Sequence, residues 1–170
     1  MITQLNKASV YSFEILFPIL PSGISGVDIP KELTLNIHAS IIPGVTLEVL
    51  EVPWMGGKAK MEVAGIDYSD WTFDYTVDAE FKNWKTMFKW VSLINNNRDR
   101  IGALPKEAYA CDCIMRMLNN FKQEIFSLRF VNAWPSNLGD VMVEYRDGEM
   151  QLESNMLLTY DRYELASDMS

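Results

Sequence analysis

The stretch WTFDYTVDAEFKNWKTMFKWVSLINNN, Trp71 to Asn97, decides the fold, because its hydrophobic period changes midway. In WTFDYTVD, Trp71, Phe73, Tyr75 and Val77 share one face and Thr72, Asp74, Thr76 and Asp78 the other, the alternation of a half-buried strand. From residue 79 the apolar positions are Phe81, Trp84, Phe88, Val91 and Ile94, at spacings of three and four, which is a helix stripe. A helix over about 79–95 follows, capped by Asp78, with Glu80 in its first turn and ended by Asn95-Asn96-Asn97. Lys82, Lys85 and Lys89 lie together on its flank.

Everything around this helix reads as strand. VYSFEILF (10–17), LTLNIHASI (33–41), VTLEVLEV (45–52) and KAKMEVAGI (58–66) precede it. YACDCIMRML (109–118), EIFSLRFV (124–131), VMVEYRD (141–147) and QLESNMLLTYDRYEL (151–165) follow it. Asn119-Asn120, Trp134-Pro135-Ser136-Asn137 and Asp147-Gly148 read as turns between them. The expected architecture is mainly β, an antiparallel sandwich or barrel with one flanking α-helix that plugs an open end or edge. At 170 residues, without linker or repeat, a single domain spanning 1–170 is expected.

The residues argue against most chemistry. EVPWMGGKAKM (Glu51–Met61) contains Gly57-Lys58, but a phosphate-cradling loop needs glycine at 52 and a hydroxyl at 59, where Val52 and Ala59 stand. The lone histidine, His38, sits in a strand pattern with no glycine-framed serine to activate, and reads as a hydrogen-bonded residue beside a sheet. Cys111 and Cys113 lack the further ligands a metal requires, and on a strand their side chains stand about 6.6 Å apart, so they read as buried, inert thiols. Asp67 with Asp70, or Asp147 with Glu149, could pair as acid and base, but solvated turn carboxylates are the simpler reading. No enzyme, cofactor or metal is expected.

Composition points to association. Apolar residues make up 48% of the chain and charged residues 22%, enough to build a core, and the net charge is −8. So acidic a chain does not hold nucleic acid through its phosphates. The N-terminal segment has no cleavage signal, and no apolar run reaches the roughly 18 residues of a membrane helix, so cytoplasmic synthesis without membrane insertion is expected. Val52-Pro53-Trp54-Met55 lead to the Gly56-Gly57 tip of a hairpin over about 45–63, and an apolar tip of this kind marks contact with another chain.

In order and spacing, these motifs resemble the tail tube protein family of contractile-tailed bacteriophages, related in fold to the tube proteins of type VI secretion systems and contractile bacteriocins. The resemblance rests on VYSFEILFP, PWMGGKAKM, YSDWTFDYTVD with the tryptophan-bearing helix, the NAWPSNLG turn (Asn132–Gly139) and LLTYDRYEL, and covers about residues 10–165. It implies a single tail-tube domain that assembles with itself into hexameric rings, stacked as the inner tube of a virion tail. The hairpin arm Val52, Pro53, Trp54, Met55, Gly56 and Gly57 would lie on a neighbouring subunit. Its glycines would supply the turn's positive φ angles. Glu48, Glu62 and Asp74 would face the lumen, letting DNA pass without specific binding. Lys82, Lys85 and Lys89 would face the sheath. Sheath, baseplate and tape measure proteins are the implied partners. A baseplate-proximal initiator, a tube-end protein or a secretion-system tube protein would share the fold. From other classes, a monomeric ligand-binding β-barrel and a carboxylate-pair hydrolase stay open on the residues alone.

Overall fold

A computed structural model describes residues 13–17, 36–94, 104–144 and 151–166. Its elements are β1 (Phe13–Leu16), β2 (Ile37–Ser40), β3 (Val45–Trp54), β4 (Gly57–Tyr68), β5 (Trp71–Thr76), α1 (Lys82–Ile94), a 3-10 turn (Lys106–Ala108), β6 (Cys111–Leu118), β7 (Glu124–Leu138), β8 (Glu153–Thr159) and β9 (Arg162–Leu165).

The long strand β7 organises the body. Its first part pairs with β6 on one side and β9 on the other, and its last part pairs with β8. All pairings are antiparallel, and the order is β1-β6-β7-β8-β5-β2 with β9 added at β7. Two layers therefore share β7, and the apolar faces of both meet between them. Trp71 and Phe73 of β5, Met115 and Cys113 of β6, Phe130 of β7 and Leu158 of β8 are all fully buried there. Trp71 stacks flat on Phe130, centroids 4.1 Å apart. Among the described residues the sheet path ends at β1 and β2, which do not pair. The body is an open sandwich and not the closed barrel that was the alternative expectation.

The alternation of Trp71–Asp78 is borne out, since Trp71, Phe73, Tyr75 and Val77 are buried and the residues between them half-buried. Three other expectations are corrected. Trp134–Asn137 is not a turn but the end of β7. Pro135 has no N–H to give, and the pairing with β8 slips between Pro135 and Asn137, which lets proline stay in the ladder. Residues 151–165 form two strands, not one, because the chain reverses at Tyr160-Asp161. Residues 141–144 carry no strand, and 145–150, with Asp147 and Glu149, lie outside the described residues.

The helix exists but starts later and turns differently from its expectation. Asp78 does not cap it. The Asn83 carboxamide does, accepting from the Asp78 and Trp84 N–H groups at 3.1 and 2.8 Å and donating to the Thr76 carbonyl at 2.7 Å. Glu80 precedes the helix and pairs with Lys82 at 2.7 Å. The buried face is Asn83, Thr86, Met87 and Trp90, about one side-chain row away from the predicted stripe. Trp90 meets Phe17 edge-on at 6.2 Å and donates its indole N–H to the Tyr109 carbonyl at 2.7 Å. Phe88 is left exposed, with Trp84 stacked on it at 5.3 Å. Asn95–Asn97, the expected stop, lie outside the described residues.

Candidate assembly surface

The feature that the core does not explain is the ribbon formed by β3 and β4. Among the described residues these strands pair only with each other, from Val45–Tyr68 at the root to Trp54–Gly57 at the tip. Ten residues at the usual rise give a projection of about 33 Å. Every residue of β3 is exposed, and β4 is nearly so. A lone two-stranded hairpin is marginal in water, so this one needs cover from elsewhere.

Its root is tied to the body by three tyrosines. Tyr160 donates to the Ser69 carbonyl at 2.7 Å and Tyr163 to the Pro43 carbonyl at 3.3 Å. The Ser69 N–H closes the root on the Gly44 carbonyl at 3.1 Å. Tyr68 packs on both rings, with centroids at 6.0 and 5.5 Å. Burial pushes the Tyr160 hydroxyl pKa well up, with the neighbouring Tyr163 and Asp70 adding to it, so the hydroxyl stays a neutral donor. These residues were not predicted as functional, although the tyrosines of LLTYDRYEL are spaced to share a region.

At the tip, Met55 (φ +42°) and Gly56 (φ +83°) form the two-residue turn. The positive angles thus fall on Met55 and Gly56; Gly57, expected to share that role, opens β4 with an ordinary φ. Met55 occupies a left-handed position where asparagine or glycine is normal, and is 93% exposed. Trp54 beside it is 67% exposed.

The predicted residues separate into three places. Val52, Pro53, Trp54, Met55, Gly56 and Gly57 are all at the exposed end of the ribbon. Glu48 and Glu62 are also on the ribbon, whereas Asp74 is half-buried on β5, in a shallow groove with Asp140 and Glu153. Lys82, Lys85 and Lys89 are exposed on α1; Lys82 is paired with Glu80, and Lys85 donates to the Glu80 carbonyl at 3.1 Å. Glu80 is held below the usual carboxylate range by the Lys82 ammonium.

The remaining candidate chemistry is structural. Cys111 and Cys113 are free and buried, with sulfurs 3.8 Å apart, and burial raises the Cys113 thiol pKa strongly. His38 faces the Thr76 hydroxyl at 3.4 Å, and Asp70 accepts from Thr159 at 3.0 Å. Trp134, expected in a turn, lies under Lys106 at 4.2 Å and meets Tyr109 edge-on. No His, Cys, Asp and Glu cluster suited to a metal occurs among the described residues.

A ribbon that projects, exposed, from a packed core is an anatomy suited to assembly. Residues 6–166 match the model of a family described as phage tail tube protein. The chain belongs to the phage tail tube protein family. The members of this family are structural tail components rather than enzymes. The tail tube terminator protein of Enterobacteria phage T4 is 26% identical over 141 residues, covering 79% of each chain. In fold, this tail tube family member is similar to the tube-terminating cap of the anti-feeding prophage (TM-score 0.67, 16% identity, 97% and 94% of the two chains covered). It is also similar to a chain from the sheath/tube terminator of an extracellular contractile injection system (TM-score 0.64, 13% identity, 96% and 99% covered). The family and the mainly β fold implied by the resemblance are thus confirmed.

Proposed function

We propose that this chain is an end piece of a contractile tail tube: six copies close into a ring that terminates the stack of tube rings in the virion. The match to the phage T4 tail tube terminator across 79% of both chains carries this reading. The ribbon, which among the described residues pairs with no further strand, supports it, since sister copies supply cover to such a surface. The partners are further copies of the chain, the last tube ring and the sheath, with Lys82, Lys85 and Lys89 turned outward to it.

A second reading is the repeated tube subunit, a conduit around DNA that also meets baseplate and tape measure proteins. It is favoured by the fold likeness to a chain of an extended sheath–tube complex (TM-score 0.60). In both readings Glu48, Glu62 and Asp74 face the lumen, where negative charge repels the phosphates of passing DNA. Electron microscopy and solution mass of the purified chain separate the cases. Discrete six-fold rings are expected for the end piece, and long smooth tubes mean the repeated subunit. A single species near 19.5 kDa at all concentrations overturns both.

A further inference from the structure

The ribbon's apolar surface changes sides halfway along. Strand β3 alternates regularly, so Val45, Leu47, Val49, Glu51 and Pro53 share one face and Thr46, Glu48, Leu50, Val52 and Trp54 the other. The cross-strand pairs extend each face. Near the root the first face is apolar, with Leu47 opposite Ile66 and Val49 opposite Val63, while the second carries Thr46, Asp67 and Glu48. Near the tip the first face is charged, with Glu51 opposite Lys60, Pro53 opposite Lys58, and Lys58 bonded to Glu51 at 2.9 Å. There the second face is apolar, with Val52 opposite Ala59 and Trp54 closing the end. The switch coincides with two register shifts, on either side of Val49, that give β4 its extra residues.

Neither the chain's own body nor a flat partner covers this pattern, because either meets one face only. A two-fold contact of like patches also fails, because root on root leaves every tip bare. We infer that the tip patch (Leu50, Val52, Trp54) of one copy seats on the root patch (Leu47, Val49, Val63, Ile66) of the next copy's ribbon. The occupant of each patch is a second copy of this chain, and the inference rests on the ring reading above. The observations favouring it are on the ribbon itself. The two patches are alike in chemistry, each takes up about half the ribbon, and they lie on opposite faces, so every copy gives once and receives once. Such a contact is heterologous, the kind that forms a ring when its rotation closes, as the ring reading above requires. The root patch also continues into the Tyr68–Tyr160–Tyr163 cluster, giving an incoming tryptophan an aromatic wall. Met55, left-handed and exposed at the extreme end, makes sense as a residue kept for contact. Lys58 and Lys60 then emerge on the face turned away from the seated tip.

Two variants test it. Val52→Asp spoils the tip and Ile66→Asp the root, and neither touches the core, which circular dichroism verifies. Each alone is expected to stay near 19.5 kDa, while their mixture forms a dimer of twice that mass and nothing larger, through the one remaining intact tip and root. Either variant forming rings alone, or a mixture that stays monomeric, overturns the inference. As an independent measurement, Trp54→Cys/Leu47→Cys protein is oxidised; Cys111 and Cys113 are buried and do not compete. A ladder of disulfide-linked oligomers is expected, and at least a tenfold loss of it in Trp54→Cys alone. Rings that assemble without cross-linking sink the tip-on-root contact but leave the ring reading intact; absence of rings in the unaltered protein sinks both.

Discussion

Asn132 is the residue on which the two layers turn. Its backbone is left-handed (φ +53°), and two carboxylates hold it there. Asp112 accepts from its N–H at 3.0 Å and from the Arg129 guanidinium, while Asp161 accepts from its side-chain amide at 2.8 Å and from Lys106. Burial alone would raise the Asp112 pKa, but the Asn132 N–H and Arg129 outweigh it, and the net direction is down. Asp161 is lowered by Lys106 and then Asn132. Folded pKa values below the unfolded value mean that the stabilisation is complete above about pH 4 and fades as pH falls through the folded values. Thermal melts of an Asp112→Asn/Asp161→Asn variant should therefore be lower than wild type at pH 7 and converge with it towards pH 3. For Asp112→Asn alone we expect about 1 kcal/mol at pH 7, discounted for a partly solvated pair. Gly139 is a second critical residue, for space rather than charge. A Cβ there would overlap the Asn155 carboxamide and sit 3.1 Å from the Asn155 carbonyl oxygen, to which the Gly139 N–H is bonded. The carboxamide can swing away but the backbone cannot, so Gly139→Ala should cost about 1–3 kcal/mol by urea denaturation.

At the scale of the element, α1 offers a contrast between two neighbouring apolar residues. Met87 is 1% exposed against the core and Phe88 is 51% exposed. Met87→Ala removes packed atoms and is expected to lower stability by about 2–4 kcal/mol. Phe88→Ala should cost under about 1 kcal/mol, although phenylalanine is the larger side chain. Equal costs in denaturant melts would restore the stripe read from the sequence. The helix carries two apolar rows, and spacing alone does not rank them. What ranks them is Phe17 and Tyr109, which arrive from distant parts of the chain to receive Trp90.

For the whole molecule, the ribbon and the body are separable. Gly44 and Ser69 already meet across a hydrogen bond, so replacing residues 46–67 with a short Gly/Ser linker should leave the sandwich folded. That variant should keep a cooperative melt yet stay monomeric by sedimentation. Oligomers of wild-type size would assign assembly to the sheet edges alone. The net charge of −8 makes a further statement at this scale: assembled protein should retain no double-stranded DNA even at low salt, in a gel-shift assay.

The sequence by itself settled the β character, the helix that follows β5, the exposed hairpin and the family, because each is written in local periodicity, turn chemistry or motif order. Strands with one buried face must alternate, and a two-residue turn must carry a residue such as Gly56. Tertiary structure decided the rest. Whether Trp134-Pro135 turned or stayed in β7 depended on where β8 could slip its register; which row of α1 was buried depended on Phe17. Among the described residues, the open sandwich followed from β1 and β2 ending the sheet path without pairing with each other. These outcomes depend on partners far away in sequence, and local spacing records which faces a segment offers but not which face another segment reaches.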